Sequence, residues 1–219
     1  MLVLMGGMPE PELLSLERRA RILDGAGRVF AEDGYEGASM ARIAQEGGVS
    51  KGTLYNYFPG KAALFSAYVA QTCSRNIPRI FIFPACETDP AITLRRIGVA
   101  MMEMMLSPIG QIVYRVVVSE AAKFPELARG FFEAGPAQSM AALSGWLARQ
   151  TATGRLAVPD PDFAAEQFFA LTQTRLALRC RLGIGPPPSP EAIAHVVDGA
   201  ITVFLSAYGA PAQTPAAPA

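Results

Sequence analysis

The chain has 219 residues, 51% hydrophobic and 17% charged, and its 19 basic and 19 acidic side chains cancel. This composition supports a sizeable core and excludes wholesale disorder. The zero net charge gives no overall positive field, so any nucleic-acid recognition must rest on local chemistry.

Met1–Met5 is apolar but has no basic flank and no small-residue cleavage site, and Gly6, Gly7, Pro9 and Pro11 follow at once. Residues 1–14 therefore read as a loose arm and not a signal peptide. Cys73, Cys86 and Cys180 are too widely spaced for a metal cluster or a disulfide framework, which suits a reducing cytoplasm. They read as idle or as reactive thiols. No run of about twenty uninterrupted apolar residues occurs, so no membrane span is expected.

No internal repeat and no strand-like alternation is visible, and the chain reads as all-α. The first helix is expected over Leu16–Asp33, with Ile22, Ala26, Val29 and Phe30 on one face and Gly34 as its terminator. Two short helices follow, and a fourth starts near Lys61 with Leu64, Phe65, Tyr68 and Val69 inward. Pro78, Pro84 and Pro90 mark a boundary between two domains, at residues 15–76 and 77–209. Longer helices are expected over Pro90–Leu106, Pro108–Lys123, Pro125–Thr153, Asp162–Leu182 and Pro190–Tyr208, several with Pro in the first turn. Gly135-Pro136 should kink or split the third of these. GIGPPPSP, from Gly183, is a loop, and the Ala/Pro tail at 210–219 should be disordered.

The informative stretch is SMARIAQEGGVSKGTLYNYF, Ser39–Phe58. Ser39 is a good N-cap for a short helix with Met40, Ile43 and Ala44 on its apolar side. Gly47-Gly48 permits a sharp turn over Val49, and Ser50 caps a second short helix anchored by Leu54. Small Ala44, Gly48 and Leu54 have the spacing of a helix-turn-helix, where two helices cross closely and the turn needs glycine. Lys51, Thr53, Tyr55, Asn56 and Tyr57 leave that second helix too polar for a core. They suit phosphates and base edges. An ordinary helical hairpin with a solvated outer face fits the same spacing.

GVSKGTLYNYFPGKAALF resembles the signature of the tetracycline-repressor-type (TetR/AcrR-like) regulators, and ILDGAGRVFAEDGYEGASMARIAQEGGVS is similar to their first two helices. The likeness runs from Arg18 to Ala70. It implies a three-helix DNA-binding domain whose third helix enters the major groove of double-stranded operator DNA, with a fourth helix leading to a larger helical ligand-binding and dimerisation domain. By position, Ser39 and Tyr57 resemble the family's phosphate-contacting hydroxyls, and Lys61 its phosphate-contacting lysine. Lys51, Gly52, Thr53, Tyr55 and Asn56 occupy groove-facing positions, and Arg42 lies on the motif's first helix. Gly60 departs from the pattern, standing where other members often carry a capping residue. Arg18, Arg19 and Arg21 form a basic cluster that reads as a backbone contact or as a solvated face.

The resemblance also implies a homodimer formed by the last two helices and an unknown, hydrophobic small-molecule effector. Ile193, Val196, Val197, Ala200, Ile201, Val203, Phe204, Leu205 and Tyr208 wrap much of the last helix. A helix apolar nearly all round must be core or interface, and the interface is the expectation. Met101, Met102, Met105, Phe124, Phe131, Trp146 and Phe168 are the candidate effector-site residues, since Met and aromatic side chains adapt to apolar ligands. Plain core packing is the other reading of each. His195, the only histidine, has no Ser/Asp partners or metal spacing around it, so no catalytic, metal or cofactor site is expected.

The chain thus reads as a cytoplasmic, ligand-responsive repressor. The alternatives are an activator of the same fold, an enzyme or ligand carrier on a helical scaffold, and an interaction protein with a degenerate helix-turn-helix.

Overall fold

The computed structural model describes residues 10–84 and 89–210. The arm at 1–9, Cys86 and the tail at 211–219 lie outside the described residues. The described chain is helical, with one isolated antiparallel bridge between Leu156 and Gly209 and no strand.

Helix α1 spans Glu10–Gly37 and so begins inside the arm expected at 1–14. Gly34, at φ 69°, breaks it where its sequence position predicts, because an L side chain there would be strained. Then come α2 (Met40–Glu46), α3 (Lys51–Tyr57) and α4 (Lys61–Ile80). Pro78 sits in the last turn of α4. Helices α5 (Pro90–Leu106) and α6 (Pro108–Glu120) follow. The expected 125–153 helix is split at Gly135-Pro136 into α7 (Pro125–Ala134) and α8 (Pro136–Ala152). The expected 162–182 helix is also split, into α9 (Pro161–Thr172) and α10 (Ala177–Arg181), with Arg175 at φ 67° between them. Helix α11 spans Pro190–Tyr208. Proline occupies the first turn of α5, α8, α9 and α11, and Asp89, Asp160 and Ser189 cap α5, α9 and α11 with side-chain oxygens.

The chain forms two compact units that do not follow chain order: residues 1–74 with 112–134, and residues 75–111 with 135–219. Helices α4 and α6 each contribute to both. In the first unit, Ile22, Leu23, Ala26, Val29 and Phe30 of α1 bury against Ile43, Ala44, Leu54, Leu64 and Phe65. Phe30 meets Phe65 edge-on at 5.0 Å between ring centroids, and Tyr35 meets Phe65 at 5.1 Å. Such edge-to-face pairs are the favoured aromatic geometry.

In the second unit, α5 packs against α11 and α9, and α9 against α8. Gly98 allows a close approach of α5 to its neighbours: a Cβ there would lie 2.8 Å from Val197 Cγ1 and 3.3 Å from Phe168 Cζ. Helix α11 has the length and hydropathy of a membrane-crossing helix. It nonetheless carries Glu191, His195 and Asp198, and it buries Ile193, Val196, Val197, Ala200, Ile201 and Phe204 inside the unit. A core helix of this kind meets the same length and composition criteria.

Candidate nucleic-acid interface

The Ser39–Phe58 stretch forms two capped helices. Ser39 Oγ accepts from the Arg42 amide at 3.2 Å, and Ser50 Oγ accepts from the Thr53 amide at 3.1 Å. Between them Gly48 has φ 65°, which lets the Val49 amide turn back to the Ala44 carbonyl at 2.9 Å. Gly47 lies so close to α1 that a side chain there would sit 3.1 Å from Ile22 Cα. The turn is therefore seated directly on the first helix.

Helix α3 buries only Leu54. Lys51, Gly52, Tyr55 and Asn56 are exposed, Tyr55 by 51%, while Thr53 and Tyr57 are half-buried. Leaving an aromatic ring that open on a seven-residue helix has no packing benefit. A short rigid helix that displays donors, acceptors and a ring is what groove reading requires.

The other expected contact residues are brought to the same module, but each is held by α1 or its end. Arg42 forms ion pairs with Glu32, at 2.5 Å, and with Asp33. The hydrogen bond this guanidinium donates to Asp33 is the main cause holding it above its ordinary pKa. The Tyr57 hydroxyl is 3.1 Å from Ser15 Oγ. Lys61 Nζ donates to the carbonyls of Tyr35, Ala38 and Glu36 at 2.7, 3.1 and 3.2 Å. Its ammonium also lies 4.6 Å from the centroid of the Tyr35 ring. Burial, then Glu120 and Glu36, push the Tyr35 phenol above its ordinary pKa.

Arg19 stacks over Phe58 at 5.4 Å, and Arg28 pairs with Glu46 at 2.6 Å. The Arg28–Glu46 pair is exposed, so it is worth little and is screened by salt. The partners Ser15, Glu32, Asp33 and Tyr35 had no local signal in the sequence. They lie 9 or more residues from the groups they hold, across helix crossings that periodicity does not reveal.

The candidate effector residues are divided. Phe124 and Phe131 belong to the first unit, and Met101, Met102, Met105, Trp146 and Phe168 to the second. Met102 and Phe168 are fully buried, and Phe168 meets Phe204 edge-on at 5.5 Å, so both pack as core. Trp146 stacks on Phe83 at 5.8 Å. Met105 and Phe131 are half-buried and Phe124 is exposed.

The expected interface face of α11 requires correction. Val197 and Ile201 lie against the subunit's own helices. The exposed side of α11 instead carries His195, Asp198, Gly199, Thr202, Val203 and Ser206. Of the apolar residues named on this helix, six are buried inside the subunit and only Val203 is exposed.

Comparison with known proteins agrees with the geometry. Residues 22–68 match the model described as bacterial regulatory proteins of the tetR family. Residues 92–210, more than half of the chain, match the model of the C-terminal domain of AefR-like transcriptional repressors. The chain belongs to the TetR family. It is a DNA-binding transcriptional regulator, and α2 and α3 are its helix-turn-helix.

A curated relative, the HTH-type transcriptional repressor Rv1474c of Mycobacterium tuberculosis, is 29% identical over 185 residues, covering 83% of this chain and 89% of that protein. Among solved structures, a TetR-family regulator from Mesorhizobium loti superposes with a TM-score of 0.83 at 23% identity, covering 89% of this chain and 98% of that one. The flavonoid-responsive regulator FrrA superposes with a TM-score of 0.70 at 30% identity, covering 92% of this chain and 99% of that one. Regulators of this family bind operator DNA, and they typically dimerise and bind small-molecule effectors.

Proposed function

We propose that this protein is a cytoplasmic repressor that binds a palindromic operator as a homodimer and is released by a small hydrophobic effector. The observation that carries this reading is α3, whose Lys51, Gly52, Tyr55 and Asn56 stand in solvent around one buried anchor, Leu54. Thr53 and Asn56 read base edges, while Ser39, Lys51 and Tyr57 position the helix on phosphates. Arg42 joins them when phosphate displaces Glu32 or Asp33. The repressor role is supported by the names of the repressor relatives, and the effector class by FrrA's description as flavonoid-responsive.

Dimerisation uses the outer faces of α10 and α11. Leu178 of α10, Leu182 at its C-terminal cap and Val203 of α11 are 63%, 64% and 56% exposed, and a lone subunit has no packing use for them. Two rigidly joined subunits would place their α3 helices in half-sites one helical turn, or a multiple of it, apart. Met105, half-buried within the second unit, is the residue through which effector contact is best tested. An effector that binds the DNA-competent and DNA-incompetent states equally would release nothing, so these contacts must differ between the two states.

Genomic footprinting of the purified protein tests the reading. A protected palindrome should appear, with affinity that falls steeply as salt rises. In a reconstituted transcription assay, the protein should lower output from that promoter. Raised output would make it an activator, and salt-insensitive binding with no footprint would end the DNA-binding reading.

A further inference from the structure

We propose that Lys61 is a positioning residue, a clasp that fixes where α2 begins relative to α4, and not a phosphate contact. The proposal rests on the DNA-binding reading above. A lysine ammonium has three N–H donors and no acceptor. All three are engaged here, by the carbonyls of Tyr35, Glu36 and Ala38, and the Tyr35 ring lies against the same charge.

Those carbonyls need the lysine. The last carbonyls of a helix lack intrahelical partners and carry partial negative charge. Gly34 interrupts α1 just before them, and the connection to α2 is only Ala38 and Ser39. Lys61 therefore acts as a cap supplied from 23 to 26 residues further along the chain. Ala38 directly precedes Ser39, the N-cap of α2, so holding Ala38 sets the register at which α2 leaves α1. The turn and α3 follow rigidly from α2 through Gly47 and Gly48. Serving a phosphate would require Lys61 to release at least one carbonyl.

The two roles predict different behaviour for Lys61→Arg and Lys61→Met. The probes are the palindromic duplex recovered by footprinting and a random-sequence duplex of equal length. A guanidinium keeps the charge and serves a phosphate at least as well, but its planar fork cannot place three donors on three converging carbonyls. Under the clasp, both variants lose about tenfold or more on the palindrome, the loss of a base-edge contact. They bind the random duplex nearly as well as wild type, with the same slope of log K against log salt.

The opposite result is Lys61→Arg binding both duplexes like wild type while Lys61→Met weakens both equally and flattens the slope by about 0.9 per half-site. That pattern would assign Lys61 to a phosphate and overturn the proposal. Circular dichroism reports whether each variant folds. A readout free of variants is the nitrogen NMR signal of the wild-type Lys61 ammonium. The clasp predicts slow exchange in the free protein and little shift on DNA, whereas a signal that appears only with DNA contradicts it. Failure of the wild type to bind either duplex would instead defeat the DNA-binding reading itself, whatever the ammonium signal shows.

Discussion

Helices α3 and α11 put their side chains to opposite uses. Helix α3 has seven residues and buries one, Leu54, whereas α11 has nineteen and buries six inside its own subunit. Substituting an exposed residue of α3 removes little folding energy, so its surface is free to vary with the operator. Substituting a buried residue of α11 removes packing that several helices share. Function is exposed on α3, and stability is concentrated in α11.

Val197→Glu should break that contrast most severely. Val197 is fully buried against α5, so a carboxylate there lacks both solvent and a partner. The expected cost is on the order of 3–5 kcal/mol, seen as a large fall in the urea midpoint with loss of helicity. A folded monomer would instead place Val197 at the dimer interface.

The double change Leu178→Glu with Val203→Glu should do the reverse. Both positions are exposed, so helicity and stability should stay near wild type. The dimer dissociation constant should rise about hundredfold, as for loss of an interface hot spot. Sedimentation velocity checks this, and an unchanged dimer would move the interface elsewhere.

Gly98→Ala should be milder. The added methyl must push Val197 Cγ1 back from 2.8 Å, an overpacking cost of about 1–3 kcal/mol with α3 untouched. Operator affinity per folded dimer should therefore stay constant while the thermal midpoint falls.

The smallest effect is alkaline. Burial raises the Cys73 thiol and is the largest cause raising the Tyr68 and Tyr35 phenols above their ordinary values of 9.0 and 10.0. The unfolded chain ionises these groups first, so their contribution is fully present below about pH 9 and is lost as pH rises through the folded values. Urea midpoints should be flat at neutral pH and decline above it, with Cys73→Ala delaying the onset.

The helix-turn-helix was legible because its determinants are local. Ser39 and Ser50 cap, Gly48 turns, and Leu54 anchors, all within one short stretch. The partners of Arg42, Tyr57 and Lys61 were not legible, since they depend on where α1 crosses α2, α3 and α4. The break between α9 and α10 also escaped notice: Gln173–Leu176 contains no Gly or Pro, and Arg175 adopts positive φ without a sequence signal. In α11, composition alone did not show that the apolar face packs inside its own subunit. Grouping of residues 112–134 with the N-terminal unit likewise follows from tertiary packing and from no local motif.

The most direct test of the central claim compares wild type with Thr53→Ala and Asn56→Ala on a set of operators that differ by single base pairs. If α3 reads bases, each variant loses about 1–3 kcal/mol of discrimination at one symmetric position per half-site and keeps the wild-type preference elsewhere. If both variants weaken every operator equally, or change none, α3 does not read sequence and the account is wrong.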